Sequence, residues 1–382
     1  MKIIFKTMLG VAVAALMHSC ATAPSTTLSG LSRDNFVAEV NGKATDLYTL
    51  KNAAGMEVCV TNFGGRIVSV MVPDRNGEMK DVVLGFDNVA NYADKVNTPS
   101  DFGASVGRYA NRINKGVIVI DDQAIQLPQN NFGHCLHGGP DGWQYQVYDA
   151  VQPDESTVVL TMNSPDGDAN FPGAVTAVVT MKVTEDNAID IVYEAVTDKK
   201  TVINMTNHTY FNLSGDPTRR VDDQIMQINA DAFTPVDFTY MTTGEIRPVE
   251  GTPMDFRQPT AIGQDIKNFE DQQVKFGNGF DHNWCLNTAG DDTQVAARAY
   301  CPETGICLEV LTNEPGIQFY SGNFLDGTCT GKNGVVYQQS TGFCLETQKY
   351  PDTPNKPEWP SAFLEPGQKY FSHCVYRFST VE

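Results

Sequence analysis

The chain has 382 residues, is 41% apolar and carries 10% aromatic side chains, a composition that supplies a large core and excludes a disordered protein. Its net charge is -19, and neither Lys nor Arg forms a block. Phosphate backbones and anionic lipid surfaces are therefore repelled at long range, so nucleic acid is not an expected partner, while a neutral small molecule is.

In chain order, Lys2 and Lys6 precede the apolar run Met8 to Met17, which is too short to cross a bilayer and leads into Ser19-Cys20. This pattern reads as an export signal over residues 1–19, with Cys20 as the lipidated first residue of a mature lipoprotein. Met17 and His18 depart from the usual residues before such a cysteine, and cleavage near Ala21-Thr22-Ala23-Pro24 is the other reading. Both place the protein outside the cytoplasm, in the periplasm, where a lipid on Cys20 would be its sole membrane attachment. Residues 20–33, rich in Ala, Ser, Thr and Pro, read as a flexible tether. Residues 34–382 contain no further linker and read as a single domain.

From Phe36 onward the apolar residues recur with period two. Strands are expected over 67–72, 116–120, 157–161, 177–183, 188–196, 224–229, 305–311, 316–320 and 370–378. Thr184-Glu185-Asp186-Asn187 suits a hairpin turn between two of them. Helical spacing is scarce: Asn88 to Lys95 and Ser361 to Phe363 each suggest one short turn or helix. With 32 glycines and 20 prolines punctuating short strands, the expected fold is all-β, a large antiparallel β-sandwich. Tyr350 to Pro360, with prolines at 351, 354, 357 and 360, reads as an extended rim loop. The nine cysteines are scattered singly, mostly in apolar runs where a thiol behaves as a small buried hydrophobe. Cys301 and Cys307 flank a turn and are the pair best spaced for a disulfide, and the absence of a CxxC motif argues against a zinc knuckle.

Chemistry concentrates in a few polar cassettes. His208 lies in Asn207-His208-Thr209-Tyr210-Phe211-Asn212, with neighbours able to orient an imidazole, although a structural histidine tying strands together fits the same composition. His137 precedes Gly138-Gly139, which let backbone approach a ligand, and an ordinary loop histidine is its competing reading. His134 and His137 have HxxH spacing and His282 follows Asp281, yet spacing alone does not converge ligands on an extended loop, so no metal site is expected. Glu346 follows Phe343-Cys344-Leu345 at the end of a strand, where burial would raise its pKa toward that of a general base. Asp281, in Gly279-Phe280-Asp281-His282-Asn283-Trp284, is either a ligand for hydroxyls or a turn cap. Asn111 and Arg112 suit a polyhydroxylated ligand, although Arg112 taken alone reads as a surface arginine at a strand entry, and Gln318 is either a further polar contact or a plain strand residue.

Taken together, GRYANRI, LHGG, NHTYFNL, GFDHNW, EPGIQFYSGN and GFCLETQKYPDTPN resemble the aldose 1-epimerase (galactose mutarotase) family, in the family's order from about Asp46 to Phe378. The resemblance implies a galactose mutarotase-like supersandwich and interconversion of the α and β anomers of free aldoses such as glucose and galactose. It implies His208 as general acid, Glu346 as general base and His137 as a supporting histidine near the ring oxygen. Asp281, Asn111, Arg112, Tyr210 and Gln318 would hold the sugar, with no cofactor and no metal. The expected partner is a monosaccharide, the expected state a monomer or weak dimer. Tyr109 within GRYANRI and Trp284 after GFDHN depart from the family pattern and bear on substrate preference. Two alternatives stay open: an exported sugar-binding protein without turnover, and a glycoside hydrolase using Asp281 and Glu346 as its carboxylate pair.

Overall fold

A computed structural model describes residues 26–381; the export signal and Cys20 lie outside the described residues. Two antiparallel sheets carry most of the fold. The larger has nine strands in the order Asp149–Asp154, Thr157–Ser164, Val175–Val183, Ala188–Thr197, Tyr370–Thr380, Ile306–Thr312, Val295–Tyr300, Ile225–Ile228 and Thr260–Ala261. The second has six, in the order Tyr210–Phe211, Phe343–Gln348, Gly316–Tyr320, Asp281–Cys285, Ala232–Thr234 and Arg247–Pro248. A four-stranded sheet, Leu47–Lys51, Glu57–Thr61, Arg66–Pro73 and Met79–Asp81, packs against the same core.

Alternation explains why these segments are strands. Val175, Ala177, Val179, Met181 and Val183 are buried while the residues between them reach toward solvent, and each such side chain contributes roughly 1.5–3 kcal/mol by leaving water. The two large sheets meet through one continuous core. Phe211 lies 5.1 Å from Tyr376 between ring centroids, and the Tyr376 hydroxyl donates to the Leu345 carbonyl at 2.9 Å, tying the nine-stranded sheet to the six-stranded one. The hairpin at 184–187 forms as expected, closed by Thr184 N–H to the Ala188 carbonyl, with Asn187 at φ +59°, a conformation asparagine tolerates.

Several expectations are corrected. Phe363–Leu364 is a strand paired with Thr201–Val202, not a helix, because Leu364 packs into the main core. Cys301 and Cys307 are unbridged. Cys307 pairs with Tyr300 in register, so the pleat sends the Cys301 side chain to the opposite face of the sheet. The 350–360 segment folds back through a 3₁₀ turn at Thr353–Asn355, with Asp352 fully buried and accepting from Asn114 N–H. In the stretch read as a tether, residues 26–33 are docked on the body: Leu31 is buried beside Phe36, and Leu28 N–H donates to Glu57 Oε1 at 2.6 Å.

His373, on the strand Tyr370–Thr380, faces Asp292 at 2.7 Å and Asp190 at 3.3 Å. Its bond to Asp190, aided by Asp292 and opposed by burial, pushes its pKa up to about 9. A folded-state pKa above the unfolded value means that the imidazolium stabilises the fold fully below about pH 6.5 and that this contribution is lost as pH rises through about 9. Chemical denaturation of the wild type between pH 6 and 10 should show that loss, on the order of 1 kcal/mol given partial water access. His373→Gln should flatten the dependence, and an unchanged slope would rule out this pairing.

Candidate active site

The six-stranded sheet has two unlike faces. Gln318 pairs with both Asn283 and Glu346, and Tyr320 with both Asp281 and Cys344. Since side chains two apart share a face, Asp281, Asn283, Gln318, Tyr320, Cys344, Glu346 and Gln348 all project from one side. The intervening residues Trp284, Ile317, Phe319, Phe343 and Leu345 enter the apolar core on the other. The polar face floors a cavity of about 360 Å³, within the roughly 300–1,000 Å³ usual for small-molecule sites. Glu346 is interior to the strand Phe343–Gln348, not at its end, and pairs in register with Gln318 of the neighbouring strand.

His208 enters from a second direction. It ends the strand Thr206–His208, which pairs with Ala104–Val106, and its ring stacks on Tyr210 with centroids 5.1 Å apart and 21° between planes. Its Nε2 stands 3.5 Å from Glu346 Oε1. Its Nδ1 lies 3.5 Å from Cys344 Sγ, on the side of the ring away from Glu346. The exchangeable proton therefore sits at Nε2, facing the carboxylate. His137 closes the group from a loop, edge-on to His208 with ring centroids 5.2 Å apart. Gly138 next to it has φ +78°, and a Cβ there would stand 2.4 Å from the Gly107 carbonyl oxygen, so only glycine lets this loop descend onto the pocket.

Every other expected residue lines the same space or supports it. Asp281 accepts from Gln318 Nε2 at 2.7 Å, and Gln348 Nε2 reaches Gln318 Oε1 and Asn283 Oδ1. Arg112 is buried rather than on the surface: its Nε donates to Asn131 Oδ1 at 3.0 Å and its guanidinium lies over the Tyr240 ring. Asn111 N–H donates to His137 Nδ1 at 3.1 Å, and His137 N–H returns a bond to the Asn111 carbonyl. Both residues hold left-handed backbone, φ +62° and +51°, a conformation asparagine tolerates and one that the surrounding pairing fixes at His137. His134 and His282 are elsewhere engaged. His134 accepts Lys115 N–H and meets Thr239, and His282 points into the core beneath the sheet.

Burial dominates the electrostatics. It pushes the Glu346 carboxyl well above its usual range, helped by Asp281 and Asp101 and opposed by Arg112. It pushes His208 down, with Asp101 as the strongest opposing influence. His137 falls to about 3, again through burial, and is neutral. Two sets of donors lie close enough to test for a metal: Asp101, His137 and His208, and His208, Cys344 and Glu346. Neither fits. His137 accepts a backbone N–H at Nδ1 and so carries its proton on Nε2, leaving no free lone pair. The Cys344 thiol is driven well above its usual pKa by burial and keeps its proton.

Sequence reasoning missed Asp101, Tyr320 and the aromatic rim. Tyr320 was findable, standing two residues beyond Gln318 and thus on the same face. Phe324 stacks on Tyr320 and contacts Tyr240, which in turn touches Phe132. These residues and Asp101 come from irregular segments without a period to follow.

The sequence profile of the family described as aldose 1-epimerase matches residues 46–377. A human galactose mutarotase is 40% identical over 324 residues, covering 85% of this chain and 91% of that protein. An aldose 1-epimerase of Escherichia coli K12 is 37% identical, over 88% of this chain and 96% of its own. Among solved structures, galactose 1-epimerase from Lactobacillus acidophilus superposes with a TM-score of 0.79 at 30% identity, covering 90% of this chain and 97% of that one. An aldose epimerase homologue from C. elegans gives 0.81 at 30% identity, over 89% of this chain and all of its own. By fold, site and sequence, the chain belongs to the aldose 1-epimerase family.

Proposed function

We propose that this protein interconverts the α and β anomers of free aldoses, with His208 as general acid and Glu346 as general base. The observation that carries the reading is the pair itself, an imidazole Nε2 3.5 Å from a buried carboxylate on the floor of a polar cavity. Opening a pyranose requires the anomeric hydroxyl to lose a proton while the ring oxygen gains one. Glu346 takes the proton from O1, the C1 to ring-oxygen bond breaks, C1 becomes a carbonyl, and His208 delivers its Nε2 proton to the ring oxygen. Rotation about C1–C2 and attack of the C5 hydroxyl on the other carbonyl face, with both proton transfers reversed, yields the second anomer.

The pKa directions suit that cycle. Burial opposes both charged forms, which favours passing one proton from His208 to Glu346 by way of the substrate. Imidazolium with carboxylate accompanies the cyclic sugar, and neutral imidazole with carboxylic acid accompanies the open chain. Because one form is regenerated from the other by the substrate, no cofactor is needed. His137, fixed as an Nε2–H donor, supports the ring oxygen. Asp281 and Gln318, already hydrogen-bonded together, and buried Arg112 bind the remaining hydroxyls with Asn111, while Tyr210 fixes the plane of His208. A hydrolase using Asp281 and Glu346 is less well supported: Asp281 is held by Gln318, and the group facing Glu346 is an imidazole.

Polarimetry on freshly dissolved α-glucose and α-galactose should show mutarotation well above the spontaneous rate. Glu346→Gln and His208→Asn should each lower kcat by about a hundredfold or more, with circular dichroism and melting temperature confirming the fold. Near-wild-type rates in either variant would refute the assignment, and release of aryl alcohol from an aryl glycoside would favour the hydrolase.

We also propose, from residues 1–20 alone, that the chain is exported and tethered through a lipid on Cys20. Labelled palmitate should enter the wild type and not Cys20→Ser, which should move from membrane to soluble fractions. An unmodified mature N-terminus beyond Cys20 would exclude the anchor.

A further inference from the structure

The acid–base pair needs its proton available on His208, yet burial works against the imidazolium. The groups around that ring are Glu346 and Cys344 from the floor, His137 from its loop, Tyr210 stacked on its plane, Tyr320 edge-on, and Asp101. Asp281 and Arg66 act from further away. Of these, Asp101 has no place in the mechanism above.

Asp101 is nevertheless held with care. Buried Arg66 donates to the carbonyls on both sides of it, Nη1 to Phe102 at 2.9 Å and Nη2 to Ser100 at 3.2 Å. The Asp101 carbonyl accepts from Ala104 N–H, Gly103 N–H donates to the His208 carbonyl, and Asn207 Nδ2 donates to the Gly103 carbonyl at 2.9 Å. Gly103 itself has φ +69°, and a Cβ there would lie 1.9 Å from the Ile67 carbonyl oxygen. The loop is thus stapled to the strand that carries His208. Its carboxylate ends within 4.8 Å of a ring nitrogen of both His137 and His208. One oxygen, Oδ1, is buried and receives no hydrogen bond from the protein, which is costly unless a ligand or a protonated neighbour compensates it.

We propose that Asp101 is a positioning residue for anomer interconversion, its carboxylate holding the exchangeable proton on His208 until the ring oxygen of the sugar takes it. The inference rests on the acid–base assignment above. A negative charge at this distance strengthens proton binding at His208, its main opposition to burial, and in the same sense at Glu346. Its removal therefore weakens proton binding at both members of the pair and moves both limbs of the pH–rate profile toward acid.

Asp101→Asn removes the charge at nearly constant shape. Polarimetric kcat profiles should shift by about one pH unit to the acid side, so that kcat on the alkaline limb falls about tenfold while KM changes little. Asp101→Glu should return the profile toward wild type. In the unliganded protein, the His208 ring followed by NMR, assigned with His208→Asn, should lose its proton at lower pH in Asp101→Asn. An unmoved profile and titration overturn the proposal, as does a raised KM with unmoved limbs, which would make Asp101 a sugar ligand instead. Should the wild type fail to accelerate mutarotation, the functional reading falls, and the NMR titration still decides whether Asp101 holds the proton.

Discussion

Everything at this site depends on the pleat of one sheet. The strand Phe343–Gln348 must bury Phe343 and Leu345 below and present Cys344, Glu346 and Gln348 above. Its neighbours Gly316–Tyr320 and Asp281–Cys285 obey the same rule in matched register. A slip of one residue would drive the Glu346 carboxylate into the hydrophobic core and lift two large apolar side chains into the cavity. Either change alone costs several kcal/mol, so the core that stabilises the fold also fixes where the base stands. The Tyr376 hydroxyl bond to the Leu345 carbonyl pins this strand from beneath, next to the residue that carries the carboxylate.

The same burial creates the chemistry. In water a carboxyl and an imidazole differ by roughly two pKa units, and the proton would rest on the histidine. Inside the cavity the carboxyl is pushed up and the imidazole down, so that burial moves proton affinity from the imidazole toward the carboxylate that faces it. That burial has a cost in stability. Glu346 Oε2, Asp101 Oδ1 and Asn283 Nδ2 are buried without protein partners, and His137 holds left-handed backbone. The two-sheet core is large enough to offset it.

The sequence made the floor of the site legible and left its walls obscure, for a physical reason. Period-two strands announce themselves, and Gln318 sits on one; Glu346 reads as the end of another, while Asp281, on the strand Asp281–Cys285, reads equally as a turn cap. Their shared face follows from counting by two once the strands are accepted. Register between strands does not, because it is set by contacts between segments distant in the chain, such as Tyr210 opposite Cys344. Arg112 read locally as a surface residue and proved buried, since its partners Asn131 and Tyr240 lie far away in sequence. Ser361 to Phe363 suggested a turn or helix, but Phe363–Leu364 is a strand because Thr201–Val202 supplies an edge to pair with. Asp101 had no periodic context at all, and only the Arg66 guanidinium, itself held by three carbonyls from two segments, shows why it stands where it does.

This division between floor and walls bears on how such an enzyme keeps one reaction while meeting different sugars. Anomer interconversion demands that acid and base stay in fixed relation, because the same two groups must act in both directions on a substrate that changes only at C1. Strands held by ladder bonds meet that demand, and Glu346 and His208 are on strands. Discrimination among aldoses concerns the outer hydroxyls, which the loops around Asn131, Tyr240 and Phe324 approach. Those segments carry few ladder bonds and can change without disturbing the core. Asp101 belongs to neither class: it lies on a loop, yet Arg66 and the His208 strand hold that loop as firmly as a strand is held. A residue fixed that firmly beside an imidazole is suited to govern protonation, which tolerates little movement, rather than to follow the shape of a sugar.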